Sequence, residues 1–288
     1  MIKERGSESR NKLVRPFLKW ANGKRYLLPE ITRRIPKFTT YHEPFLGGGA
    51  VLFFLQPKKA IVNDINTEVI NVYRVMKKKG NVEELIKILS NHKNESDYFY
   101  KIRGLDRDKE KFNELSSLEK AARVIYLNKT CFNGLFRVNN QGQFNAPFGG
   151  YKNPNFINAE VLRAVSKFLN ENEIIILNES FEELLPKIKK GSFVYLDPPY
   201  DPVSNTASFT GYNLAGFDKK DQKKLKDFCD ELNKKEGVKF LLSNSATDFI
   251  KDLYKDYIIE IVKVPRNINS DAAKRGKVDE VLVRNYEI

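Results

Sequence analysis

The sequence predicts an α/β protein: a doubly wound, mostly parallel sheet interrupted by an inserted helical domain. Three observations predict it. Short β-branched runs end in polar or turn residues at Ala60 to Val62, Glu173 to Leu177, Phe193 to Leu196, Lys239 to Leu242, Tyr257 to Val264 and Val278 to Val283. Several are almost wholly apolar, as strands covered on both faces must be. Helical patterns separate many of them, among them Lys220 to Leu232 and Asp248 to Tyr254, and this alternation marks crossovers between parallel strands. Finally, the interval from Asp64 to Glu173 is far longer than one crossover needs, so a further unit is inserted there.

Within that interval, residues 82–92 and 117–130 carry helical patterns. The stretch CFNGLFRVNNQGQFNAPFGGY instead reads as a hairpin turning around Asn140 and Gly142, rich in aromatic and amide side chains. The insertion is placed at residues 75–168, leaving 1–74 and 169–288 as the sheet domain.

A chain of 288 residues buries a full core without disulfides or metals. Cys131 and Cys229 stand in no paired spacing, and His42 and His92 have no partner at ligand spacing, so a reduced, metal-free, cytoplasmic protein is expected. No stretch approaches the roughly 20 apolar residues that span a bilayer, so no membrane partner is expected. Lysine and arginine total 50 against 37 acidic residues, and residues 1–40 hold eleven basic against three acidic ones. That clustering favours a polyanionic partner over a merely solubilising surface.

Three stretches carry chemistry. In HEPFLGGGAVLF, residues 42–53, three glycines after a short strand let the backbone turn tightly and approach a nucleotide-like ligand. Leu52 holds the third glycine position of the dinucleotide fingerprint and no Walker lysine follows, so alone the run is equally compatible with a plain turn. Next, AIVNDIN sets Asp64 at the carboxyl edge of the sheet, where an acid can take both hydroxyls of a ribose. Alone it also reads as a helix cap; its place after the glycines turns the reading toward a ligand.

The third stretch is YLDPPY, residues 195–200. Pro198 drives Asp197 to extended geometry, and Pro199 stiffens the loop further. Neither proline has an N–H, so the Asp197 carboxylate and the Pro198 carbonyl offer acceptors with no competing donor. Such a pair suits an exocyclic amine, with Tyr200 stacking on the ring that bears it. Accepting both N–H bonds would turn the nitrogen lone pair out of conjugation and toward an electrophile. A rigid Asp-Pro turn explains the prolines but not this combination at a strand end.

PFLKWANGK, EPFLGGG, NDIN, CFNGLFRVNNQGQFNAPFG and DPPY, in that order, resemble the DNA adenine-N6 methyltransferases, specifically the Dam-type group acting on GATC. The resemblance runs from about Pro16 to Tyr286. It implies a Rossmann-like sheet with a reversed last strand, S-adenosylmethionine as methyl donor, double-stranded DNA as substrate, and a target-recognition domain where the long interval lies. It further implies a flipped adenine, a catalytic loop of Asp197, Pro198, Pro199 and Tyr200, and cofactor contacts from Trp20, Lys24, Phe45, Gly47, Gly49, Asp64 and Asp197. Lys19, Lys129, Phe132, Asn133, Leu135, Arg137, Pro147 and Lys152 match or flank positions facing the DNA. Asn22 and Phe132 depart from the family, which often has glycine and tyrosine there. The resemblance leaves open protection against a cognate restriction endonuclease acting on the same site, strand marking for repair, and transcriptional control. A methyltransferase of another amine, such as cytosine N4 or a protein amide, and a non-catalytic DNA binder are the rival readings. Residues 201–217, rich in Ser, Asn, Thr and Gly, are expected to form a lid over the target base.

Overall fold

The computed structural model of the chain describes residues 10–20, 24, 26–134, 136–203, 216–265 and 277–288. Seven strands form one sheet: β1 (Thr40–Glu43), β2 (Lys59–Asn63), β3 (Glu173–Leu177), β4 (Ser192–Leu196), β5 (Lys239–Ser245), β6 (Ile258–Pro265) and β7 (Lys277–Arg284). Their order is β3-β2-β1-β4-β5-β7-β6. Every pairing from β3 to β5 is parallel, whereas β7 runs antiparallel to both β5 and β6. The mostly parallel sheet with its reversed last strand is thus present as expected. Chain order reverses between β1 and β4, and at such a switch point the crevice beyond the strand ends is where ligands bind.

Burial explains which elements the sequence declares. All five residues of β4 are buried, so its apolar run reads plainly. Strand β1 lies mid-sheet although three of its four residues, Tyr41, His42 and Glu43, are ionisable. His42 Nε2 lies 3.1 Å from Ser192 Oγ, and burial lowers its pKa to about 4, keeping the ring neutral. Tyr41 donates to Glu43 Oε2 at 2.9 Å, and burial holds the Glu43 carboxyl well above the ordinary carboxylate range. Strand β5 runs past the expected Leu242 through Ser243, Asn244 and Ser245, all buried.

Ten α-helices accompany this sheet among the described residues: α1 (Leu28–Arg34), α2 (Ala50–Leu55), α3 (Thr67–Lys77), α4 (Asn81–Ser90), α5 (Ser96–Gly104), α6 (Lys109–Glu114), α7 (Ser117–Thr130), α8 (Ala159–Glu171), α9 (Lys219–Lys234) and α10 (Asp248–Leu253). One apolar cluster joins Val62 of β2, Tyr73 of α3, Leu85 of α4, Phe99 of α5, Val124 of α7 and Val165 of α8. The inserted helices therefore share a core with one face of the sheet. A second cluster, including Leu196, Leu225, Leu242, Ile250 and Val281, covers the other face. Helix α7 starts in a capping box, with Ser116 and Glu119 each satisfying the other's backbone N–H. Its Arg123, though buried, reaches Glu68 of α3 at 3.1 Å and Asp106 at 2.6 Å, tying the insertion to the sheet domain.

The expected hairpin is present without a regular ladder. Only two antiparallel bridges, Cys131 with Phe148 and Val138 with Phe144, connect its described arms. Backbone bonds from the Asn139 N–H to the Gln143 carbonyl at 2.9 Å and from the Asn145 N–H to the Arg137 carbonyl at 2.7 Å span the turn. The Asn139 side chain adds to them: its Oδ1 accepts from the N–H groups of Gln141 and Gln143, each at 3.0 Å, and its Nδ2 donates to Gln143 Oε1 at 2.9 Å. Amide side chains here supplement backbone pairing, as Asn commonly does in turns.

Candidate active site

The register aligns Glu43 with Val62 and Leu196 with Leu242, so the residues following β1, β2, β4 and β5 converge along one edge. Asp197 follows β4 directly. Its Oδ1 accepts from Lys24 Nζ at 2.8 Å and from Ser243 Oγ at 3.1 Å, and Ser243 Oγ lies 3.0 Å from the Tyr195 hydroxyl. Burial pushes the Asp197 carboxyl upward, while Lys24 and Ser243 pull against it. The Tyr200 hydroxyl accepts from Lys24 Nζ at 2.5 Å and donates to Glu280 Oε2 at 2.9 Å, so the ring is anchored at its far end. Lys24 thus clamps the two outer members of the DPPY loop together. Oδ1 carries both of these bonds to Asp197, and among the described residues no donor reaches Oδ2.

The glycine run and Asp64 form one turn. Gly47 has φ 47° and Gly49 φ 66°, the left-handed region that glycine adopts without strain. A Cβ on Gly47 would overlap the Trp20 indole, and one on Gly49 would lie 2.7 Å from the Tyr73 hydroxyl. Asp64 braces the turn, its Oδ2 accepting from the Gly47 N–H at 2.8 Å and its Oδ1 from the Asn66 N–H at 2.9 Å. Phe45 beside it packs on Phe181, with ring centres 5.4 Å apart. Trp20 stacks in turn on Phe136, with centres 5.7 Å apart, so the single tryptophan joins the glycine turn to the inserted hairpin.

On the hairpin, Phe132 is 52% exposed, an unusual setting for so large an apolar ring, and Asn133 beside it holds φ 56°. The Phe132 N–H donates to the carbonyl of exposed Pro147 at 2.9 Å, and the Asn133 N–H donates to the Tyr151 hydroxyl at 3.0 Å. Lys19 sets its ammonium 4.6 Å from the Tyr151 ring centre. Lys129 lines a cleft with Arg15 and Lys19; burial and these two cations lower its pKa to about 8. Lys152 is exposed. Arg137 donates from Nη2 to the Asn145 carbonyl at 3.0 Å, while its buried Nε has no partner among the described residues. Leu135, Asn22 and most of the expected lid, residues 204–215, lie outside the described residues. Among the described residues no cluster of three or more His, Cys, Asp and Glu could hold a metal, and no helix is long and apolar enough to cross a membrane.

Residues 20–268 match the family model described as D12 class N6 adenine-specific DNA methyltransferase. The chain belongs to that family. A type II methyltransferase of Lactococcus lactis subsp. cremoris is 44% identical, covering 96% of this chain and 98% of the relative. A type II methyltransferase of Methanocaldococcus jannaschii is 41% identical over 95% and 99%, and a DNA adenine methylase of Serratia marcescens 36% over 93% and 97%. The protein is accordingly a DNA adenine methyltransferase.

Several residues that hold the DPPY loop escape motif reading. Ser243 and Glu280 reach the loop from β5 and β7, and Gln222 of α9 donates to the Pro199 carbonyl at 2.9 Å. The available signal is the polar run Ser243-Asn244-Ser245 ending an apolar strand. Lys24 is expected beside the cofactor; its described contacts are with Asp197 and Tyr200.

Proposed function

We propose that this enzyme transfers the methyl group of S-adenosylmethionine to N6 of an adenine flipped out of duplex DNA, within a GATC-like site. One observation carries the reading. At the sheet edge Lys24 and Ser243 occupy one oxygen of Asp197, the other has no donor among the described residues, and Tyr200 is fixed beside it. The target amine would place its two hydrogens on Asp197 and the Pro198 carbonyl, which turns its lone pair out of the ring. Tyr200 would stack on the base, whose extrusion costs a few kcal/mol that DNA contacts offset.

The glycine turn fits the methyl donor: Gly47 and Gly49 keep the backbone bare, and the Asp64 carboxylate stands against the turn where a ribose would be held. When bound, S-adenosylmethionine supplies a methyl group on a sulfonium centre. Trp20, Phe45 and Asp64 would hold it, and the rest of the work is positioning. Titration with S-adenosylmethionine is expected to change the fluorescence of Trp20, and Asp64→Ala to weaken binding by about 1.5 to 3 kcal/mol per lost charge-assisted bond. Calorimetric binding with an unchanged spectrum would put the ligand away from Trp20.

We assign residues 75–168 to DNA recognition, with Lys19, Lys129 and Lys152 on phosphates, Phe132 and Asn133 at the gap left by the flipped base, and Arg137 and Leu135 reading base edges. The guanidinium of Arg137 suits the O6 and N7 acceptors of guanine. Arg137→Ala is expected to cost about 1 to 3 kcal/mol on the cognate site and to relax discrimination at one base pair. Methylation of GATC and its single-base variants at two salt concentrations checks this: an even loss on all sequences would make Arg137 a phosphate contact. The overall reading is tested with labelled S-adenosylmethionine and unmethylated plasmid, digested to nucleosides. Label on N6-methyladenosine supports it; label on cytosine, on protein, or nowhere overturns it.

A further inference from the structure

Strand β5 ends in three buried polar residues for which core packing has no use. The middle one, Asn244, is wholly buried, and Gln222 in the first turn of α9 is 1% exposed. Their amides form a chain across the catalytic loop. The Pro199 carbonyl accepts from Gln222 Nε2 at 2.9 Å, Gln222 Oε1 accepts from Asn244 Nδ2 at 3.0 Å, and Asn244 Oδ1 accepts from the Asp201 N–H at 3.0 Å. The orientation is forced. Asn244 Oδ1 also takes the Ser245 N–H at 2.8 Å, and two backbone donors can only face an oxygen. Its NH2 group must then face the Gln222 oxygen, and the Gln222 NH2 group must face a carbonyl. Asp201 is held from its other side as well, by Thr247 Oγ1 donating to its Oδ2 at 2.7 Å.

The backbone is thus gripped on both sides of Tyr200, at the carbonyl before it and the N–H after it. Because two prolines precede Tyr200, the loop's free polar groups there are carbonyls alone. Gln222 takes that of Pro199. The carbonyl of Pro198, itself a buried residue, has no donor among the described residues. Buried carbonyls are rarely left so.

We propose that Gln222 and Asn244 are positioning residues that occupy the Pro199 carbonyl and thereby leave the Pro198 carbonyl, with Asp197, to receive the target amine. This rests on the adenine-N6 reading above. Neither amide touches the base; both act through the loop. The pair also connects α9, onto which residues 201–217 lead, to the catalytic loop.

The experiment begins with wild-type enzyme and labelled cofactor; label at adenine N6 judges the underlying reading by itself. Steady-state kinetics of Gln222→Leu then tests the amide chain: kcat is expected to fall about 10²-fold, the loss typical of a displaced reacting group, with the KM for S-adenosylmethionine unchanged. A kcat within about twofold of wild type, or a loss expressed only in KM, overturns the proposal. Gln222→Glu supplies the second arm, and decides alone should Gln222→Leu fail to fold. Its neutral carboxyl keeps one donor and one acceptor, whereas its ionised form cannot donate to the Pro199 carbonyl. The variant should therefore lose kcat as pH rises through a carboxyl pKa elevated by burial, on a limb that wild type lacks. A profile parallel to wild type, or a loss that merely tracks unfolding in near-ultraviolet circular dichroism, overturns it.

Discussion

Asp197→Ala is expected to lower methylation by about 10³-fold or more, at the upper end of what one catalytic side chain contributes, while leaving the fold and most DNA affinity in place. In the proposed reaction the carboxylate acts on the extruded base, so its loss strikes the chemical step rather than the encounter with duplex DNA. Asp197→Asn is the sharper variant, because an amide keeps the shape and removes the charge that pairs with Lys24 at 2.8 Å. The wild-type pH profile should carry the same signature. Burial raises the Asp197 carboxyl from its ordinary value, so the ionised, accepting form predominates above that elevated pKa and disappears as pH falls through it. The acid limb of kcat should therefore lie above the usual carboxylate range near 3.9, and Asp197→Asn should lack it. Single-turnover rates across pH check both points; an Asp197→Asn enzyme keeping more than a small fraction of the wild-type rate would remove Asp197 from the chemistry.

What motif reading could see at this site, and what it could not, follows from how far apart the partners lie along the chain. Asp197, Pro198, Pro199 and Tyr200 are contiguous and follow a fully buried strand, so position, rigidity and chemistry all appear in one short stretch. The glycine turn and Asp64 are legible for the same reason, each standing directly after its own strand. Ser243, Glu280 and Gln222 are not. They reach the loop from β5, from a reversed strand and from a helix, and nothing in a linear pattern says that Glu280 of β7 ends 2.9 Å from the Tyr200 hydroxyl. The extent of β5 is hidden by the same chemistry, since serine and asparagine look like a strand's end when they are in fact buried residues within it. The hairpin shows the opposite limit: its turn is plain in NNQG, but the Asn139 side-chain bonds that reinforce the backbone pairing there are not visible in composition.

Lys24→Met is the second change expected to act strongly, and it separates two roles for one residue. The motif places Lys24 among the cofactor contacts; the geometry sets its ammonium on Asp197 Oδ1 and, at 2.5 Å, on the Tyr200 hydroxyl. Methionine keeps the length and most of the apolar packing of a side chain that is 5% exposed, while removing the charge. Lys24 is the strongest force pulling the Asp197 carboxyl down against burial, so without it the carboxyl rises further and more of it is protonated at neutral pH. Tyr200 simultaneously loses one of its two anchors and keeps only Glu280. A catalytic-loop role therefore predicts kcat at saturating S-adenosylmethionine lowered by about 10²-fold, an acid limb shifted to higher pH than in wild type, and partial recovery on the alkaline side as the carboxylate ionises again. A purely cofactor-binding role predicts a raised KM for S-adenosylmethionine, with the saturated rate and the acid limb left where they were. Lys24→Arg sharpens the distinction, since a guanidinium restores the charge but not the compact geometry that lets one nitrogen reach both partners. It should return the acid limb toward wild type while leaving kcat depressed, because charge sets the protonation state of Asp197 and geometry sets the hold on Tyr200.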